Sequence, residues 1–292
     1  MVNLIVEKKE KIMRRKRYSE KLAMGGMLVA LAFIFSYLES LFPVLIPVPG
    51  IKLGLANLVT LIALYTMGEK AGFFVSVLRI LLSGLTFGGF FPMIYSFAGG
   101  TVSFLGMVFL KNKKRISLYG VSIAGGALHN LGQIVVAAFV LQSSSIFTYL
   151  GILLPVGVLT GGLIGVVASK VLWSLKGYKE LIYIWDKILA VGLVLIGLIV
   201  LLGVQITKRE GGSVVVFKDA SFYKEYSLFQ NGVYWLEWEN GSYNVLTIQD
   251  GNAFISEASC PDLLCVKEYA ISRTKERIVC LPNRVEIFIR EA

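Results

Sequence analysis

The stretch ILAVGLVLIGLIVLLGVQITKREGG, Ile188 to Gly212, divides the chain into two unlike parts. Up to Ile206 it is an apolar run of the length a bilayer core demands, about 20 residues for one helix. From Lys208 onward charge returns and apolar residues begin to alternate with polar ones. The whole chain, 292 residues of which 55% are hydrophobic and 16% charged, with a mean hydropathy of +0.70, lies outside the usage of soluble domains. The expectation is an α-helical polytopic membrane domain, a six-helix bundle plus a seventh tethering helix, followed by a small all-β extracytoplasmic domain.

Working outward from that junction, seven apolar runs read as membrane helices: Leu22–Phe42, Ile51–Met67, Ala71–Thr86, Phe91–Leu110, Leu118–Leu141, Ile146–Leu175 and Ile188–Ile206. The domain layout is therefore a basic arm over 1–21, the six-helix region over 22–175, a cytoplasmic linker over 176–187, the tethering helix over 188–206 and the β domain over 207–292. The first run follows a basic start, and Ala30-Leu31-Ala32 resembles a small-residue cleavage site. Its length and the spans after it read as an uncleaved first helix.

The net charge of +10 invites a nucleic-acid reading, which its distribution opposes. Residues 1–207 hold 19 Lys+Arg against 7 Asp+Glu, and residues 208–292 hold 10 against 12. The basic residues of the first part cluster between apolar runs, at Lys8–Lys21, Lys70, Lys111–Arg115 and Lys170–Lys187. That is topogenic charge, and the positive-inside rule puts the N-terminus in the cytoplasm of a bacterial cell and everything after Ile206 outside it.

Polar residues inside membrane helices cost about 2.5–3.5 kcal/mol when charged and mark cavities, pairs or snorkelling side chains. Glu39 and Arg79, both toward the outer side, are expected to pair or to serve a ligand. The fifth run sets His129 and Gln133 on one helical face with Asn130 beside them. Three hydrogen-bonding side chains there either join helices or line a polar pocket. Lys52 near the outer mouth and Asn57 about a turn and a half deeper meet the same pocket. The ligand-binding candidates are thus Glu39, Lys52, Asn57, Arg79, His129, Asn130 and Gln133. Glycine doublets at 25–26, 88–89, 99–100, 125–126 and 161–162 suit close helix packing, and Ala23, Gly26 and Ala30 offer a small-residue face for packing or for a partner helix.

No catalytic device is read from the membrane part. It has no P-loop, no nucleophile elbow, and a single aspartate, Asp186, where a magnesium-held diphosphate needs a cluster. His129 is the only histidine in the chain, so a multi-histidine metal site is excluded.

In the last part, VYWLEWENGSYNVLTIQDGNAFI reads as three strands turning at Asn240-Gly241 and Asp250-Gly251, and RIVCLPNRVEIFIR supplies one or two more. The three cysteines of the chain, Cys260, Cys265 and Cys280, all lie here. They are too few for an ordinary four-ligand zinc or iron–sulfur site. A stapling disulfide with one leftover thiol, an exchanging redox set in which Cys280 attacks a Cys260–Cys265 bond, and a metal or cluster shared with another chain all remain open.

KLGLANLVTL (Lys52–Leu61), LRILLSGLTFGG (Leu78–Gly89) and GGALHNLGQIVVAAF (Gly125–Phe139) together resemble the Gx transporter family, whose members are often labelled heptaprenyl diphosphate synthase component I. The resemblance covers roughly Lys21 to Leu175. That family is similar in layout to the S components of energy-coupling-factor vitamin transporters. It implies a membrane-embedded binding subunit for a small molecule, working with a transmembrane partner and ATPases. CPDLLCVK (Cys260–Lys267) and IVCLPNRVEI (Ile278–Ile287) resemble NusG domain II-like extracytoplasmic modules. Such modules stand beside Gx-type proteins in loci associated with quinone and flavin electron transfer. The competing expectation is therefore a membrane redox protein with a noncovalent flavin or a quinone as cofactor. A prenyl synthase role survives only as a noncatalytic partner, because this chain lacks the metal-binding carboxylates that ionise a prenyl diphosphate.

Overall fold

The computed structural model describes residues 2–41, 54–178, 181–238, 241–261 and 263–291. Its first part is helical: α1 (Val2–Leu41), α2 (Leu55–Thr66), α3 (Glu69–Ser83), α4 (Phe90–Lys111), α5 (Leu118–Leu141), α6 (Leu150–Lys176) and α7 (Ile184–Ile206). A π-helical turn over Gly84–Gly88 joins α3 to α4, and a 3-10 turn over Ser144–Tyr149 leads into α6. Six of these helices are long and apolar enough to cross a membrane, so the chain is a multi-pass membrane protein by length and composition.

The second expected span differs. The run Ile51–Met67 contributes a helix of only 12 residues, Leu55–Thr66, about 18 Å long against a core of about 30 Å. Nearly all of α2 is buried, including Leu58, Val59, Leu61, Ile62 and Leu64, so its apolarity serves packing between neighbours. Two boundaries also shift. The basic arm continues α1 as one helix of 40 residues, and α7 begins at Ile184 inside the expected linker.

α5 lies at the centre, packed on α4 and α6 through glycines. A Cβ on Gly126 would stand 2.3 Å from the Gly157 carbonyl oxygen of α6, and one on Gly132 would stand 3.0 Å from the Ala98 carbonyl oxygen of α4. Lipid provides no hydrophobic drive between helices, so such backbone approach supplies the dispersion contact that does. Hydroxyl and amide bonds lock the seams: Ser103 donates to the Gly125 carbonyl (2.8 Å), Ser122 to the Gly161 carbonyl (2.6 Å) and Asn130 to the Leu153 carbonyl (2.7 Å).

One end of the bundle collects the C-terminus of α2 and the ends of α3, α4, α5, α6 and α7 that adjoin the basic loops. There Lys111 donates to the Leu64 carbonyl (2.8 Å), and Asp186, 1% exposed, accepts from the backbone N–H of Ser117 (3.0 Å) and of Tyr183 (2.7 Å). One carboxylate thereby caps both α5 and α7.

The C-terminal part is all-β, as two antiparallel sheets. Strands β1 (Gly211–Lys218), β2 (Ser221–Ser227), β6 (Arg277–Cys280) and β7 (Val285–Glu291) form one in the order β2-β1-β7-β6, and β3 (Gly232–Glu237), β4 (Tyr243–Gln249) and β5 (Asn252–Ala258) form the other. Asp250 and Gly251, with φ of 50° and 72°, make the tight β4–β5 turn that their sequence favours. Val214, Val216, Leu236, Leu246, Ile248, Ile255, Ile287 and Ile289 fill the space between the sheets. A short helix, α8 (Leu264–Lys267), sits at the edge.

Replacing Asp186 by alanine leaves two helix-start N–H groups short of their acceptor, at about 1–3 kcal/mol each when buried. A lower melting temperature in detergent is expected for Asp186→Ala, with Asp186→Asn intermediate because it keeps a carbonyl acceptor. Equal melting of all three proteins counts against this capping role.

Candidate functional site

A cavity of about 30 Å³ lies between α2, α4, α5 and α6. Asn57, Ser103, Ser122, His129, Asn130 and Thr160 supply its polar lining, and Leu61, Met107 and Ile164 its apolar part. Ser103, Ser122 and Thr160 spend their hydroxyl protons on backbone carbonyls, the last on Val156 (3.0 Å). Their oxygens therefore face the cavity as acceptors, and the site suits a ligand that brings donors.

Of the sequence candidates, Asn57, His129 and Asn130 line this cavity. Arg79 adjoins it: its Nη2 donates to Asn57 Oδ1 at 2.6 Å, and its Nε is buried without a hydrogen-bond partner among the described residues. Glu39 and Arg79, which the sequence offered as a pair or as ligand groups, make no ion pair with each other among the described residues. Glu39 instead accepts from the Gly54 N–H at the start of α2, while Arg79 turns to Asn57. The direct contacts of the two charges are thus the positive end of a helix dipole and a half-buried amide. Gln133 is buried against α4 at Gly99, outside the cavity, with Oε1 lacking a partner among the described residues. Lys52 lies outside the described residues. Ala23, Gly26 and Ala30 are exposed on α1, and a Cβ on Gly26 would meet nothing within 4 Å.

Sequence reasoning missed Ser103, Ser122 and Thr160. Their signal is slight, a small hydroxyl within three residues of a glycine in an apolar helix, and it also fits ordinary helix gluing.

The second cluster is in the β part. Cys260 follows β5, Cys265 lies in α8 and Cys280 ends β6; all three are free thiols, 2%, 1% and 3% exposed. Their sulfurs lie within 4.8 Å of one another, with Cys260 and Cys265 at 3.4 Å. Asn244 Nδ2 reaches Cys265 Sγ at 3.6 Å, and Asn283 Nδ2 donates to Asn244 Oδ1 at 2.8 Å and so orients it. Hydrogen bonds from Cys260 and Cys265 hold the Cys280 thiol down at about 4, while the contact with Cys260 pushes Cys265 up.

The two parts of the chain meet at the end of the bundle opposite the basic loops. Val279 and Leu281 pack among Tyr95, Ile134, Ala137, Leu141, Ile146 and Leu153. Around this apolar contact Ser143 donates to Glu286 Oε1 (3.2 Å), Tyr149 donates toward Glu268 Oε2 (3.4 Å), and the buried pair Arg277–Glu286 closes the rim.

Residues 28–171 match the family described as heptaprenyl diphosphate synthase component I, and residues 188–292 match NusG domain II. The helical part thus resembles the first family and the C-terminal part the second. The NusG domain II match begins within α7 and runs through the strands. Three solved structures resemble this NusG domain II. A DUF1312 family protein from Ruminococcus gnavus is 44% identical over 27% of this chain and 96% of its own, with a TM-score of 0.24. A DUF1312 family protein from Enterococcus faecalis is 27% identical over 27% and 97%, with a TM-score of 0.27. The Lin0431 protein from Listeria innocua is 23% identical over 27% and 95%, with a TM-score of 0.26. No curated protein matches the chain significantly.

Burial pushes the Glu268 carboxyl well above its ordinary 4.5, and its Oε1 is enclosed without a partner among the described residues. A carboxyl raised in the folded state stabilises it fully below about 4.5 and loses that contribution as pH rises through the raised value. Glu268→Gln is therefore expected to raise the melting temperature at neutral pH and to flatten its dependence on pH above about 4.5. Parallel pH–melting curves for the variant and the parent protein argue against it.

Proposed function

We propose that this protein is the membrane-embedded binding component of a small-molecule transport system, similar in role to the S components of energy-coupling-factor transporters. The observation that carries this reading is the polar cavity at the centre of the bundle, where Asn57, His129 and Asn130 converge from α2 and α5 with Arg79 held beside them. Side chains of this kind are costly inside a membrane and are kept there for ligands or ion paths.

At about 30 Å³ the cavity has room for about two water molecules. Binding of a vitamin-sized solute thus requires α2 to part from α5 and α6. The open face of α1 with Ala23, Gly26 and Ala30 supports docking of a transmembrane partner, which in turn would bring the ATPases that this chain has no motif to replace. The basic loops at one end of the bundle support a cytoplasmic N-terminus and, with it, a NusG domain II on the outer side.

The family description names a component of a synthase. Asp186, the single aspartate of residues 1–207, is engaged as a helix cap, which favours a noncatalytic role for this chain in any such assembly.

The test is to purify the protein in mild detergent, denature it and identify released compounds by mass spectrometry against a mock preparation. A water-soluble vitamin-like compound at near-stoichiometric level is expected, falling at least about tenfold in a His129→Ala, Asn130→Ala double variant that still melts cooperatively. Retention by the double variant overturns the proposed site, and a quinone or polyprenyl compound in its place overturns the transport reading.

A further inference from the structure

We propose that Cys260, Cys265 and Cys280 form a binding site for one monovalent copper ion, held by three thiolate sulfurs in the NusG domain II. The inference is independent of what the membrane cavity binds.

Three observations lead to it. The first is convergence. Two nearby positions, Cys260 just after β5 and Cys265 in α8, and a third fifteen residues further on at the end of β6 deliver one sulfur each to a triangle whose members lie within 4.8 Å. Metal–thiolate bonds of about 2.3 Å in a trigonal plane set sulfurs about 4 Å apart, so the triangle accepts an ion with shifts of a few tenths of an ångström. A Cys260–Cys265 disulfide requires closure from 3.4 Å to about 2.05 Å and leaves the third sulfur without a purpose.

The second is the donor set. Among the described residues no imidazole or carboxylate joins the sulfurs, and His129 is in the helical bundle. An all-sulfur, three-coordinate site disfavours hard cations, which take oxygen ligands, and lacks the fourth ligand of a structural zinc site. Soft thiolates select monovalent copper.

The third is the surroundings. The cysteines belong to the packed core between the sheets, at 1–3% exposure, which keeps protein disulfides and bulk oxidants from the sulfurs and suits a closed site better than an exchange centre. Hydrogen-bond donors nevertheless point at them: the Leu263 N–H at Cys260, the Asn283 N–H at Cys280, and Asn244 Nδ2 at Cys265. Disulfide sulfurs need no such donors, whereas thiolates do. Loading releases to solvent whatever protons the thiols still hold and leaves a copper tris-thiolate of charge −2, which these donors offset. No electron is transferred in this step.

The test uses the full-length protein in detergent, reduced and kept anaerobic, titrated with cuprous ion against a competing cuprous chelator. One copper per chain is expected, with X-ray absorption showing three sulfur neighbours at about 2.3 Å. Cys280→Ser should bind at least about a hundredfold more weakly, and Asn244→Ala, which keeps all three sulfurs, about tenfold more weakly. A rise in melting temperature on copper addition to the unaltered protein reads the same event without relying on any variant. The proposal is overturned by a Cys260–Cys265 disulfide in protein isolated without reductant that persists when copper is added. Copper bound equally by the parent and Cys280→Ser, or zinc bound more tightly than copper with a non-sulfur ligand, overturns it too.

Discussion

The close approach of α5 to its neighbours is the constraint on which the membrane part depends. Because Gly126 and Gly132 have no side chains, the α5 backbone lies against the carbonyls of Gly157 in α6 and Ala98 in α4. A helix held that near cannot rotate without losing contact along its length, so the direction of each of its polar residues is settled by packing. Ser122, His129 and Asn130 are turned to one central cavity for that reason, and Gln133, one turn further on, is turned to α4. The same small spacing leaves room for little more than two waters, so the cavity and the tight seams are one feature seen from two sides.

The β part is joined to this bundle by more than a tether. Along β6 successive residues point to opposite faces, and the strand uses both. Val279 faces the helices, while Ile278 and Cys280 face the core between the sheets. Leu281 returns to the helices just past the strand end. The α8 region repeats the arrangement, with Cys265 in the core and Glu268 against Tyr149 at the helical bundle. Two of the three segments that hold the thiol cluster, the α8 region and β6, are therefore also segments that contact the membrane part. Occupancy of the cluster and the seating of the domain share backbone, which gives a physical route by which one affects the other.

How much of this was legible beforehand follows from the range of each interaction. Apolar runs reveal membrane helices because the bilayer imposes its thickness on any sequence that crosses it. The strands at 232–258 and the turn at Asp250-Gly251 were legible because alternation and positive φ are local properties. The pairing of β1 with β7, residues 211–218 with 285–291, was not, since nothing local names a partner some 70 residues away. The short α2 misled in the other direction: an apolar stretch buried among helices reads like one buried in lipid.

The site divides along the same line. Composition and spacing alone determined that this is a multi-pass membrane chain with a β domain at its end, and that Asn57, Arg79, His129 and Asn130 are anomalous where they stand. Only the tertiary structure decided that Arg79 turns to Asn57 and Glu39 to the start of α2, and that Ser103, Ser122 and Thr160 complete the lining. It also gathered Cys260, Cys265 and Cys280 into one triangle and brought Asn244 and Asn283 to its edge. The physical reason is that a residue type is a local quantity, whereas a hydrogen-bond or metal-ligand geometry is a relation between helices and strands whose mutual placement is set by packing across the whole chain.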